Sequence, residues 1–158
     1  MPRVRGGLPD GGRIDLAVTL QSVSVVTLGV ADLARCRRFY GEGFGWTPIF
    51  ENDEILFFQM NGFVLGLWLA ERLADDMGRA VAAPGSTSLG HNVRDRGEVE
   101  PLMDRLAAHG GSILRPADAP PHGGFRGYVA DPDGHSWEIA FNPAWPIDQR
   151  GHVRFRAG

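Results

Sequence analysis

The chain has 158 residues, 43% of them hydrophobic, and a formal net charge of −3, enough for one core built as a single domain or as two intimately packed modules. No Lys/Arg-rich run offers a footprint for nucleic acid, and no apolar stretch has the length of a membrane span or signal peptide, so a cytoplasmic protein acting on a small molecule is expected. A single cysteine, Cys36, rules out an internal disulfide framework and a Cys-based zinc cluster.

Residues 1–20, rich in Gly, Arg and Asp, read as a flexible tail. Residues 23–30 (VSVVTLGV) are rich in β-branched side chains and predict a strand; Asp32 can cap a helix running from 33 through Phe39 and Tyr40, with Gly41, Gly43 and Gly45 as its breakers. Three short apolar runs follow at 47–51, 54–60 and 63–69, divided by Asn52-Asp53 and Asn61-Gly62, and Asn-Gly between apolar runs is a strong hairpin signal. The polar stretch 71–86 reads as a linker. Beyond it the order recurs: a strand at 87–93, Asp95 as cap, a helix from 98 to 109 stopped by Gly110-Gly111, and a strand at 112–115. A Pro/Gly-rich loop leads to a strand at 125–130, the tight turn Asp131-Pro132-Asp133-Gly134 and a closing strand at 135–141. Val30-Ala31-Asp32 before the first helix matches Val93-Arg94-Asp95 before the second, which marks a duplicated module. The reading is thus an ordered domain over 21–145, with βαβββ modules at 21–70 and 87–145 and a C-terminal tail at 146–158.

Leu28-Gly29-Val30-Ala31-Asp32-Leu33 with Arg38-Phe39-Tyr40, and above all the run from Gly123 through Asp131-Pro132-Asp133-Gly134 to Glu138, resemble the vicinal-oxygen-chelate (VOC) superfamily, the glyoxalase/bleomycin-resistance/dioxygenase type. The resemblance covers roughly residues 22 to 143. It implies an α+β fold of two tandem βαβββ modules whose eight strands form a cup around a ligand, and a homodimer.

Metal-dependent members of that superfamily place one ligand on the first strand of each module and a carboxylate on the last. Side-chain alternation turns Val25, Thr27 and Gly29 toward the cup, opposite Val26, Leu28 and Val30 under the helix. In the second module Ser88, Gly90 and Asn92 face the cup, and Leu89, His91 and Val93 the helix. The resemblance puts the four ligand positions at Val25, Ser88, near Gly66 on the face of Trp68, and Glu138; only Glu138 can coordinate, and one carboxylate is too weak a site. No cofactor is therefore expected. The alternative is a rearranged divalent-metal site using His122, in the Pro/Gly loop, with Glu138.

Other residues have plain readings beside functional ones. His135 reads as a strand-edge residue, and His91 as a core histidine bonded to backbone or a carboxylate. Cys36, between Arg35 and Arg37, could have a lowered pKa but more simply packs a helix on the sheet. Glu138, as a lone carboxylate in an apolar cup, suits general acid/base work or a cationic ligand, or serves as a strut bonded to Thr27, Ser88 or Asn92. The leading expectation is metal-independent binding of a small, partly aromatic molecule, with Glu138 as the catalytic candidate and Thr27, Trp68, Ser88, Asn92, His122 and Tyr128 as ligand contacts. The competing one is an enzyme, a lyase, isomerase or dioxygenase, using the rearranged metal site or Glu138 as acid/base.

Overall fold

The computed structural model describes residues 20–155, so the N-terminal tail expected at 1–20 lies outside the described residues apart from Leu20. Two four-stranded mixed sheets carry the fold. The first has the order β1-β4-β3-β2, from β1 (Val25–Val30), β2 (Phe50–Glu51), β3 (Ile55–Gln59) and β4 (Val64–Leu69). The second repeats it as β5-β8-β7-β6, from β5 (Ser88–Asn92), β6 (Ser112–Asp118), β7 (Phe125–Ala130) and β8 (Ser136–Phe141). In each sheet the first strand of the module runs parallel to the last, and the other pairs are antiparallel. The two tandem βαβββ modules expected from the sequence are present.

Both crossover helices begin as their sequences dictate. Asp32 has extended backbone and its carboxylate accepts from the amides of Ala34 and Arg35, opening α1 (Leu33–Cys36). Asp95 accepts from the Gly97 amide while Glu98 returns to the Asp95 amide, a reciprocal cap that leads through a short 3-10 turn into α3 (Val99–Ala108). Of the glycines expected to break the first helix, Gly41 and Gly43 lie within it and Gly45 stands at its end. The helix continues as a π-type segment, Arg37–Gly43, and ends at Gly45, whose φ is +79°. A Cβ on Gly43 would stand 3.1 Å from Leu106 of α3, so this glycine lets the two helices approach.

One apolar core spans both modules: Phe39, Tyr40, Leu56, Phe58, Leu65 and Leu67 from the first join Val99, Met103, Leu106, Val129 and Ile139 from the second. Across the modules, α3 packs against the π-segment.

Two stretches differ from expectation. The 71–86 linker begins with a helix, α2 (Ala70–Met77), whose Leu73 is buried. The tail expected at 146–158 folds back, as far as residue 155, into a small hairpin with an Ile147–Val153 bridge. The Asp148 carboxylate closes that turn by accepting from the amides of Arg150 and His152. Arg94 donates to the carbonyls of Ile147 and Asp148, and Asn61 to that of Gly151, which anchors the hairpin on both modules.

Candidate functional site

The Asp131–Gly134 turn is structural, and it is also the bolt between modules. Asp131, 3% exposed, accepts from the amides of Asp133 and His135 at Oδ1 and from the Tyr40 hydroxyl at Oδ2, at 2.6 Å. Trp137 Nε1 in turn donates to the Tyr40 oxygen, at 3.1 Å. Burial beside the Asp131 carboxylate pushes the Tyr40 hydroxyl pKa well above its ordinary value. Asp133 accepts from the Ala31 amide, Arg35 donates to the Pro132 carbonyl, and the His135 ring bonds the Gly29 carbonyl at 2.8 Å. His135 is thus a joint between modules, in keeping with its strand-edge reading.

The expected alternation holds on both sheets. A Cβ on Gly127, which pairs with Ile139, would run into Met103 of α3, so Tyr128 and Glu138 lie on the face turned away from the helix. One row across that face reads Gly90, Glu138, Tyr128, Arg115, and a neighbouring row holds Asn92 beside Ala140 and Arg126. Ser88 pairs with Ser136 one row away. On the first sheet Thr27 pairs with Gly66, and a Cβ there would stand 3.3 Å from Thr27 Oγ1; Gly29 pairs with Trp68. Thr27 and Trp68 therefore share one face, and Ser88, Asn92, Tyr128 and Glu138 share another. The two faces belong to different sheets. A Cβ on Gly29 would stand 3.0 Å from Val81 and 3.4 Å from Leu73, so α2 and the segment after it cover the Trp68 end of the first face. His122 is exposed in the turn before β7.

Half-buried Glu138 has no ion pair or hydrogen bond among the described residues, which removes the strut to Thr27, Ser88 or Asn92. Arg126 and Arg115, on the same face, are both paired with Asp118.

The donors at hand do not fit the metal that the fold family implies. Val25, Gly66 with Trp68, and Ser88 offer no His or carboxylate beside Glu138, and no group of three or more His, Cys, Asp or Glu converges among the described residues. His122 and Glu138 form no such group either.

A cavity opens on the opposite side of the sheets, the side expected to be packed under helices. Its volume is about 960 Å³, and it lies between the β3–β4 end of the first module and β5 of the second, beside the C-terminal hairpin. Phe58 and Leu65 line one wall, Leu89, His91 and Trp137 the other, and Trp46 the end. Trp46 stacks on Phe44 with centroids 4.1 Å apart, and the His91 ring stands edge-on to Phe44 at 5.3 Å. Burial holds the His91 pKa below its usual value, with Glu98 pulling weakly the other way. The ring makes no hydrogen bond among the described residues, so the expected core histidine bonded to backbone or carboxylate is replaced by an unbonded imidazole on a cavity wall. Of the expected contacts, only Asn92 also borders this cavity. Leu89, His91 and Trp137 were legible as a same-face set, but the gap beside them depends on the hairpin and on Trp46, which alternation does not locate.

Cys36 is fully buried in the core, and burial with the nearby Asp133 and Asp131 carboxylates raises its pKa far above the ordinary thiol value, in keeping with the packing reading. His109 sits at the end of α3, its ring bonded to the Arg105 carbonyl.

The sequence model of the Glyoxalase/Bleomycin resistance protein/Dioxygenase superfamily matches residues 22–139. Among solved structures, a glyoxalase-related enzyme from Fulvimarina pelagi is 65% identical, with a TM-score of 0.85 over 87% of this chain and 100% of that one. Lactoylglutathione lyase from Agrobacterium tumefaciens is 21% identical, with a TM-score of 0.64 over 80% of this chain and 98% of that one, a likeness of fold alone. A glyoxalase/bleomycin resistance protein/dioxygenase from Nocardioides, 22% identical with a TM-score of 0.66 over 90% of this chain and 93% of that one, shares the fold in the same sense.

Proposed function

The chain belongs to the glyoxalase/bleomycin resistance protein/dioxygenase superfamily, and from that membership we propose that it binds a small, partly aromatic organic molecule without the family's metal set. The observation that carries this is the donor inventory of the strand faces: Val25, Gly66 and Ser88 stand where ligands would, and Glu138 alone of the four remains, unpaired among the described residues, beside Tyr128. A carboxylate with no partner among the described residues is available to a cationic or proton-donating ligand group. Thr27 and Trp68 on one face, and Ser88, Asn92 and Tyr128 on the other, supply hydroxyls, an amide and flat aromatic surface suited to such a molecule.

In this reading the two faces complete one site when a second copy docks. Each sheet has two edge strands, and Phe50, Ile113 and Leu114 are exposed, which favours a homodimer. Among the described residues no helix is long and apolar enough to cross a membrane; the proposed setting is the cytoplasm. Turnover is a second reading, favoured by the likeness to the glyoxalase-related enzyme from Fulvimarina pelagi. Glu138 would then take the proton from a carbon or hydroxyl acid.

Glu138→Gln tests the proposal, because it removes the charge with little change of shape. Binding of a ligand found by screening weakens by about 1.5–3 kcal/mol, the range for a charged hydrogen bond, while the fold is kept. Unchanged binding by the folded variant refutes the role of Glu138. A monomer mass by light scattering at micromolar concentration refutes the dimer.

A further inference from the structure

We propose that the cavity walled by His91, Trp46, Phe58 and Trp137 is a second binding site, which takes a planar, uncharged, weakly acidic molecule of one to three rings with its hydroxyl on the His91 ring. This goes beyond the Glu138 reading, because the cavity opens on the other side of the second sheet.

The volume, about 960 Å³, is at the upper end of the range for small-molecule pockets, roughly 300–1,000 Å³. The floor is aromatic: Phe58 and Trp137, 1% and 4% exposed, stand edge-on to the half-buried Trp46 at 60° and 68°, with centroids 6.2 and 5.7 Å away, and Trp46 and His91 present the reachable ring surface. Faces and edges so arranged favour a flat ring.

The charges around the cavity decide the ligand's charge. Arg94 is committed to the Ile147 and Asp148 carbonyls. Glu98 accepts the Asp95 amide of its helix cap. His152 lies 3.6 Å from the Asp148 carboxylate. Arg94 and Glu98 thus stand on the lining with opposite formal charges, and His152 lies beside Asp148, so the rim carries no net charge that selects an anionic or a cationic ligand. Of the titratable groups on the lining, His91 is the one with no hydrogen bond or ion pair among the described residues, and its aromatic surroundings disfavour the imidazolium, so the ring offers one acceptor nitrogen and one N–H at neutral pH. A phenol or enol hydroxyl matches the acceptor. The hairpin joined by the Ile147–Val153 bridge borders the cavity, so the ligand enters beside a segment held by hydrogen bonds that Arg94 and Asn61 donate to its carbonyls.

The test is a nuclear magnetic resonance titration of the full chain with 2-naphthol, and with 2-methoxynaphthalene, which keeps the rings and lacks the donor. The expected result is that 2-naphthol shifts the His91 imidazole and the Trp46 and Trp137 indole signals. It binds about tenfold more tightly than the ether, and about tenfold more weakly to His91→Leu, the factor one net hydrogen bond supplies. Glu138→Gln should leave its affinity unchanged, which separates this site from the one proposed above. Absence of binding, shifts confined to Tyr128 and Thr27, or equal affinity for the two probes would each overturn the proposal. The comparison of probes on the wild-type chain decides it even where His91→Leu does not fold.

Discussion

Replacing Tyr40 by Phe removes one oxygen and strands two buried groups. Asp131, 3% exposed, loses the hydroxyl that donates to its Oδ2 at 2.6 Å, and Trp137 Nε1 loses its acceptor at 3.1 Å. A hydrogen bond to a charged group contributes about 1.5–3 kcal/mol, and a buried donor left unpaired costs about 1–3 kcal/mol more. The ring stays, so the packing against Phe39 and Trp137, with centroids 4.9 and 5.9 Å away, is kept and no cavity term enters. The expected loss is therefore about 3–5 kcal/mol, a large part of the stability of a domain this size, with a fall in Tm of roughly 10 °C. Urea unfolding followed by tryptophan fluorescence measures it. Tyr128→Phe is the control: its hydroxyl makes no hydrogen bond among the described residues, and the change stays within about 0.5 kcal/mol. A loss under about 1 kcal/mol for Tyr40→Phe would refute the view that this buried triad bolts the modules together.

Two further outcomes follow from contacts and charge. Gly111→Ala places a Cβ 2.7 Å from Phe39 and 2.9 Å from both the Leu106 carbonyl and Val129, so thermal unfolding should show a loss of about 1–3 kcal/mol from overpacking, whereas Gly62→Ala meets no atom within 4 Å and carries only the strain of its φ of +93°. The pH dependence rests on His91, whose folded pKa lies below its ordinary 6.5. The unfolded chain takes up a proton there before the native chain does, so stability is full above pH 6.5 and falls as the pH drops toward the folded value. His91→Gln should flatten that part of the stability profile, and an identical slope in both proteins would contradict the assigned burial.

The features legible in the sequence are those set by local chemistry. Asp32 and Asp95 cap the helices they were expected to cap, the Asn61-Gly62 hairpin forms, and Asp131–Gly134 makes its turn with Gly134 at φ +97°. What escaped depends on partners distant in the chain. Gly43 read as a breaker because its fit beside α3 is invisible locally. The helix α2 had a signal in the spacing of Ala70, Leu73, Ala74 and Met77, outweighed by the Gly and Pro residues that follow it. The C-terminal hairpin gave no periodicity, because carbonyls accepting from Arg94 and Asn61 hold it in place. For the candidate site, alternation gave the sharing of faces by Thr27 with Trp68 and by Glu138 with Tyr128. It could not show that the two faces belong to separate sheets, nor that the gap in the core opens beside His91.

The central claim is recognition of a small organic molecule without a metal, and the most direct measurement is the shift in Tm caused by a ligand from a panel of small aromatic compounds, recorded with and without a strong chelator. The account predicts a ligand whose shift grows with concentration and is the same in both conditions. A shift that disappears with chelator and returns on adding back a divalent metal would contradict it.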